Sequence, residues 1–296
     1  MLRWRPLFDL RLILLILAAL TLIPVFTHPS VSISQPMLDG LFVVDITQSM
    51  NVRDYTIGGR PVDRLTYVKS ALIHVVRKLP CGSSVGLGLF TGWQTATLFD
   101  PIEVCHYRRE IEDVIRHIDW RMAWAPQSSI GRGLRNALTL RAVRKEKASL
   151  VFLTDGNEAP PDDLRWLGMQ RPRQHSRSAG ILLGVGDIRP SAIPLMNEWG
   201  EMTGYFQCGE QPCLSSVAQD YLRTLGHALG LDYHRLQTAN DLLKVLRTAR
   251  YSDPQPARMD ISWAFGAVAL ALLSAFYLMD ALPTPLQRKT LRTIDS

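Results

Sequence analysis

The chain has 296 residues, 47% of them hydrophobic, a formal net charge of +6 and four cysteines. Two apolar segments near the ends leave roughly 230 residues between them, enough for one large α/β domain and too few for a second full one. Arg3, Arg5, Arg11, Arg288, Lys289 and Arg292 outweigh Asp9, Asp280 and Asp295 in the tails, which leaves about +3 for the middle, too little to suggest a nucleic-acid partner.

The first predicted element is "LILLILAALTLIPVFT", Leu12 to Thr27, which follows three arginines and reads as a membrane segment. It is short and interrupted by Pro24, so a cleavable signal peptide is the rival reading. The "HPSVSISQP" that follows has no small-x-small cleavage site, which favours an uncleaved anchor behind a cytoplasmic tail, residues 1–11.

From 37 to 250, short apolar runs alternate with longer amphipathic stretches. This is the pattern of a doubly wound, mainly parallel sheet with helices on both faces. "GLFVVD" is the first strand, and "VDRLTYVKSALIHVVRKL" places Leu65, Val68, Leu72, Val75 and Val76 at helical spacing. "SVGLGLF" and "TATLFD" read as an antiparallel edge hairpin turning at Gly92 and Trp93. Cys81 and Cys105 stand at nearly equal distances from that turn and would bridge the open end of the hairpin, while Cys208 would pair with Cys213 across "GEQP". A CxxxxC metal site is the alternative at the second pair, but no further ligand pair lies near it.

Helices are expected around "REIEDVIRHI" and "IGRGLRNALTLRAVRKE", and strands at "SLVFLT" and "AGILLGVG". The Pro- and Gly-containing stretch from about 188 to 216 is longer than an ordinary connection and is either functional or an insertion. "AQDYLRTLGHALG" is a helix, "DYHRL" an edge strand and "ANDLLKVLRTAR" the closing helix. A linker, 251–260, then leads to "ISWAFGAVALALLSAFYLM", Ile261 to Met279, which is uncharged and is followed by a basic tail, 280–296. A buried core helix is the alternative there. With positive charge outside both segments, both termini are expected in the cytoplasm and the middle on the periplasmic side of the inner membrane, with the lipid bilayer as a partner.

Ligands gather at the carboxyl ends of the strands of an open parallel sheet. Three polar loops should meet there, carrying Asp45, Thr47 and Ser49, then Ser128 and Ser129, then Asp155. All six donors are oxygen, a set that selects Mg2+, Mn2+ or Ca2+ over Zn2+. As capped turns, each motif alone has an ordinary structural explanation. The seven histidines are scattered, and none falls in this set.

These motifs resemble the metal-ion-dependent adhesion site of the von Willebrand factor A (VWA) family. Its Asp-x-Ser-x-Ser is matched by Asp45-Ile46-Thr47-Gln48-Ser49, its second-loop hydroxyl by Ser128, with Ser129 as the alternative, and its third motif by Asp155-Gly156. Thr47 stands where Ser is commoner, and "APQSS" replaces the usual Gly-Gly-Thr. The resemblance implies that Thr47, Ser49 and Ser128 bind a divalent cation, Mg2+ first, with Asp45 and Asp155 acting through water or hydrogen bonds. An open position on the ion would take a carboxylate from a client protein.

Within the family, double-anchored proteins with "DITQSM" and "LTDG" look most like the MxaL-like accessory proteins of methanol oxidation. That likeness implies a role in assembling or metallating an exported enzyme such as a quinoprotein methanol dehydrogenase, in a system with a MoxR-type AAA+ ATPase. Two alternatives belong to other classes. One is an envelope scaffold that keeps the fold without metal. The other is a metal-dependent phosphatase with Asp45 as nucleophile, against which Thr47 stands where such a site wants a second Asp; no enzymatic activity is expected. Trp120 and Trp124 in "DWRMAW" either rim a docking surface or pack beneath the loop. Met50 is expected to serve packing, and the basic run Arg171 to Ser178 to be a solvated loop.

Overall fold

The strand that ends at Asp45 starts well before the expected "GLFVVD", because "SVSISQ" ahead of it already alternates apolar and polar side chains. A computed structural model describes residues 6–125, 128–144, 148–158, 180–248 and 250–281. Its main sheet has seven strands. These are β1 (Ser30–Asp45), β2 (Ser84–Thr91), β3 (Gln94–Glu103), β4 (Ser149–Thr154), β5 (Gly180–Gly184), β6 (Leu231–Arg235) and β7 (Ser252–Asp260). The helices are α1 (Pro6–Leu22), α2 (Arg64–Lys78), α3 (Arg108–His117), α4 (Ile130–Thr139), α5 (Arg141–Arg144), α6 (Gln219–Leu229), α7 (Ala239–Leu246) and α8 (Ser262–Ala281).

The sheet order is β6-β5-β4-β1-β2-β3, with β7 also paired to β1. Neighbours along β6-β5-β4-β1-β2 are parallel, and β2 and β3 form the antiparallel edge hairpin. Strand β1 is buried on both faces, so its side chains divide between two cores. Leu38, Phe42 and Val44 join a cluster with the apolar faces of α2, α3 and α7. Leu41 and Val43 join another with α4, α5 and α6. Helices therefore cover both faces, as such an apolar run requires.

Register sets where the loops emerge. Val44 stands opposite Leu89 and Leu153, Asp45 opposite Phe90, and Thr154 opposite Gly184. The carboxyl ends of β1, β2, β4 and β5 thus lie level with one another. The hairpin turns at Gly92-Trp93, between the paired Thr91 and Gln94. Gly92 has φ 66°, and a Cβ there would lie 2.9 Å from that of Ala125, so this corner favours glycine.

Both expected disulfides form. Cys81–Cys105 closes the hairpin's open end with Cα atoms 5.2 Å apart, and Cys208–Cys213 spans 5.0 Å. Glu103 lies beside the first bridge, whose sulfurs are bonded to each other and leave no thiolate for a soft metal. The region 188–216 folds as three short antiparallel pairs: Ser191–Ala192 with Leu214–Ser215, Pro194–Met196 with Met202–Tyr205, and Gln207–Cys208 with Gln211–Pro212.

The segment expected as a linker, 251–260, is largely strand β7. Its prolines, Pro254 and Pro256, are two apart, so the missing N–H groups fall on one edge and the other edge keeps its donors for β1. The basic run Arg171 to Ser178 lies outside the described residues, as do residues 1–5 and 282–296 of the tails. The chain divides into two compact units, Gln35–Gln255 on one side and Met1–Ser34 with Pro256–Ser296 on the other. In the second unit α1 and α8 pack together. Helix α1 stops at Leu22 and passes into a 3-10 turn, Ile23–Thr27, at Pro24, which has no N–H to continue the ladder. Among the described residues no helix is long and apolar enough to cross a membrane.

Helix α4 lies close against β2. A Cβ on Gly133 would fall 2.0 Å from Phe90 Cε2, and that buried ring is held against Phe152 at 5.3 Å. Gly133→Ala is expected to destabilise the chain by about 1–3 kcal/mol, read as a lower urea midpoint. An unchanged midpoint would contradict this close approach.

Candidate metal centre at the strand ends

Asp45 closes β1 with a fully buried carboxylate. Its Oδ1 accepts from the Thr47 backbone N–H at 2.9 Å and from Thr47 Oγ1 at 2.6 Å, and its Oδ2 accepts from Thr154 Oγ1 at 2.6 Å. The Thr47 and Ser49 hydroxyls are 3.4 Å apart. The Asp-x-Thr-x-Ser spacing does this locally: the chain leaves the strand, Thr47 folds back on Asp45, and the 3-10 turn Gln48–Asn51 carries Ser49 round to the same side. Met50 is fully buried and packs in the core.

Asp155 follows β4, the neighbour of β1, and is also fully buried. Its Oδ1 accepts from the Asn157 N–H at 3.0 Å. Its Oδ2 accepts from Arg64 Nη1 at 2.8 Å and from Ser215 Oγ at 3.1 Å. Arg64, in the first turn of α2, is fully buried as well and connects most of the centre. It gives Asp54 Oδ2 two bonds, at 2.9 and 2.7 Å, and also donates to the Ser49 carbonyl at 3.3 Å and to Ser215 Oγ at 2.5 Å.

Sequence reasoning missed Arg64, Asp54, Thr154 and Ser215. One signal for Arg64 was present: it stands four residues before Val68, on the apolar stripe of α2, where an unpaired cation would not be buried. Thr154 directly precedes the recognised Asp155. For Ser215 no local signal exists, because it arrives from the region 188–216.

Ser128 comes from the third loop. It bridges Gly92, just past the end of β2, while the Ser129 N–H donates to the Gly92 carbonyl and Thr91 Oγ1 to the Ala125 carbonyl at 2.8 Å. The hairpin turn therefore holds this loop at the same sheet edge as Asp45. Of the two serines, Ser128 is the buried one, and its Oγ has no hydrogen-bond partner among the described residues; Ser129 begins α4 as its N-cap residue. Trp120 is partly buried against the core, whereas Trp124 is 48% exposed and lines a cavity with Thr47.

The donor set fits a hard divalent cation on two counts. The Ser128 hydroxyl is buried and unpaired among the described residues, which a bound ion would remedy. The second is charge: when ionised, Asp45, Asp54 and Asp155 carry three negative charges against the single positive charge of Arg64, and the difference is that of a divalent ion. Arg64 pairs with Asp54 and Asp155 but not with Asp45, whose hydrogen-bond partners are two hydroxyls and an amide. Burial, reinforced by the neighbouring Asp155 carboxylate, pushes Asp45 up to about 7, against the bonds from Thr154 and Thr47 that favour its ionised form.

Removing the guanidinium would leave Asp54 and Asp155 buried without a counter-charge. Arg64→Met is expected to destabilise the chain by about 3–5 kcal/mol, measured as a fall in the urea midpoint. A loss well below that would show that water or rearranged neighbours compensate the two acids.

Residues 41–158, which include Asp45, Thr47, Ser49, Ser128 and Asp155, match the von Willebrand factor type A domain family. Among solved structures, an aerotolerance-related membrane protein from Bacteroides fragilis is similar at 16% identity and a TM-score of 0.54, over 70% of this chain and 96% of that one. The conserved hypothetical protein BatB from Bacteroides thetaiotaomicron is similar at 16% identity and a TM-score of 0.53, over 71% of this chain and 95% of that one. No curated protein matches the sequence. At such identities the likeness is one of fold: a mainly parallel, helix-covered sheet of VWA type, within which residues 41–158 match the family.

Proposed function

We propose that the VWA domain binds a divalent cation, Mg2+ first with Mn2+ or Ca2+ as alternatives, and uses it to hold a carboxylate of a partner protein. The hydroxyls of Thr47, Ser49 and Ser128 would hold the ion, with Asp45 and Asp155 behind them. Its chemistry there is Lewis acidity toward a carboxylate oxygen. Asp45 orients the Thr47 hydroxyl, Thr154 orients Asp45, and Arg64 fixes Asp155. The observation that carries this reading is the buried Ser128 hydroxyl, unpaired among the described residues, at the same end of the sheet as the buried Asp45 carboxylate, which has no cationic partner among them. The ion-paired state of Asp155 favours a second reading, a scaffold that keeps the fold without metal.

We further propose that segments 12–27 and 261–279 anchor the chain in the inner membrane, with the VWA domain on the periplasmic side. Support comes from large exposed apolar side chains on both terminal helices, among them Leu12, Leu20, Leu270 and Leu278. The two disulfides suit an oxidising compartment, and one structure of similar fold is named as a membrane protein. The assembly or metallation of an exported enzyme such as methanol dehydrogenase, in a MoxR-type ATPase system, rests on the "DITQSM" and "LTDG" resemblance. Its test is pull-down of the dehydrogenase by the wild-type chain and not by Asp45→Ala; equal recovery by both contradicts a cation-dependent role.

The raised Asp45 pKa makes the cation reading testable by pH. Without metal, the folded state holds a proton on Asp45 between about pH 4 and 7 that the unfolded chain releases, so this group's contribution to stability falls as pH rises through that window. A cation competes with that proton. Mg2+ is therefore expected to raise the thermal midpoint of the full chain more at about pH 8 than at about pH 5.5. Asp45→Ala should abolish the shift. No shift at either pH, or one that survives Asp45→Ala, favours the scaffold.

A further inference from the structure

The turn Gln48–Asn51, just past the candidate cation loop, is the floor of a groove. One wall is the segment 120–125, and the other is the hairpin of Pro194–Met196 and Met202–Tyr205. Gln48, Trp124 and Glu198 line a cavity of about 530 Å³ that also reaches Thr47. Asn51, Lys69, Met196 and Gly200 line a second, of about 230 Å³. Trp120 and Arg121 border both cavities, and Arg121 Nη1 ties the walls together by donating to the Glu198 carbonyl at 3.0 Å.

Two polar atoms on this floor are buried and have no partner among the described residues: Gln48 Oε1, an acceptor, and Asn51 Nδ2, a donor. Asn51 as a whole is only 5% exposed. Leaving such an atom unmet costs about 1–3 kcal/mol. The backbone of an extended peptide presents the complementary pair, N–H donors and C=O acceptors, at short intervals.

Charge selects among peptides. The acids of the smaller cavity are already engaged: Asp63 accepts from the Thr66 N–H and hydroxyl, and Asp119 accepts from Arg121. Lys69 donates to the Ile118 carbonyl at 2.7 Å, which leaves ammonium protons to offer, and Arg53 lines the same cavity from an exposed position. Three cations, Arg53, Lys69 and Arg121, line the smaller cavity against two acids, Asp63 and Asp119, so its lining carries one positive charge in excess, while Glu198 lies in the larger cavity.

We infer that this groove takes an extended acidic segment of a protein partner, a proposal that rests on the reading of this face as protein-binding and not on the cation. The segment's backbone meets Gln48 Oε1 and Asn51 Nδ2, an acidic side chain reaches Lys69 and Arg53, and an apolar side chain lies against Trp124.

The test is selection of a phage-displayed random dodecapeptide library on the full chain in detergent micelles, in parallel with Mg2+ and with EDTA. Fluorescence titration of the enriched peptide follows. The expected peptides carry Asp or Glu next to an apolar residue, and the double variant Arg53→Gln/Lys69→Gln weakens them by about tenfold or more while the thermal midpoint holds. Asn51→Leu should weaken them as well; if it does not fold, the double variant decides. Absence of enrichment, an uncharged or basic consensus, or an acidic consensus indifferent to the double variant overturns the proposal. Binding that EDTA abolishes but the double variant leaves intact keeps the cation reading and removes the groove. Binding that ignores EDTA but falls in the double variant supports the groove and counts against the cation's part in it.

Discussion

The Arg64 guanidinium is the constraint on which the rest of the strand-end structure depends. It has no exposure to water, and its bonds reach Asp54, the Ser49 carbonyl, Asp155 and Ser215. A cation in that position is tolerable only if its donors are met and its charge is opposed. The loops after β1 and β4, together with the end of the region 188–216, are therefore held in one arrangement. Helix α2 brings the guanidinium in on its apolar face, so the packing of the core and the geometry of the centre are set by the same helix.

That arrangement leaves Asp45 as the carboxylate in the cluster without a positive partner among the described residues. Hydroxyls surround it, and the Ser128 hydroxyl arrives from a third loop held by the hairpin turn. Neutral hydroxyl ligands would leave a bound ion electron-poor and ready to accept a carboxylate, which suits adhesion better than hydrolysis. The groove beyond Gln48 would then extend the contact from one oxygen to a stretch of polypeptide, with the region 188–216 serving both as a wall and, through Ser215, as part of the inner support.

Much of this was legible in the sequence where the determining interactions are local. The Asp45-Thr47-Ser49 spacing turns back on itself within a few residues, and the Gly92-Trp93 turn sets the hairpin register and hence the reach of Cys81 to Cys105. The VWA pattern could be read because its three motifs each follow such a strand end or open a helix. What escaped was carried by long-range polar pairing. Arg64 looks like a solvated charge until its acids are known, and its place on the stripe with Val68 was the only local hint. The pairing of Ser191–Ala192 with Leu214–Ser215 joins residues far apart in a Pro- and Gly-rich stretch with no periodicity to follow. The segment after 250 misled for a related reason: its prolines suggest a linker, although two on the same edge leave the other edge free to pair.

The most direct measurement is diffraction from crystals of the full chain grown with Mn2+, with anomalous data collected at the manganese absorption edge. The account predicts an anomalous peak within coordination distance, about 2.0–2.4 Å, of the Thr47, Ser49 and Ser128 hydroxyls. A well-ordered strand-end cluster with no peak there, or a peak only at other residues, would contradict it.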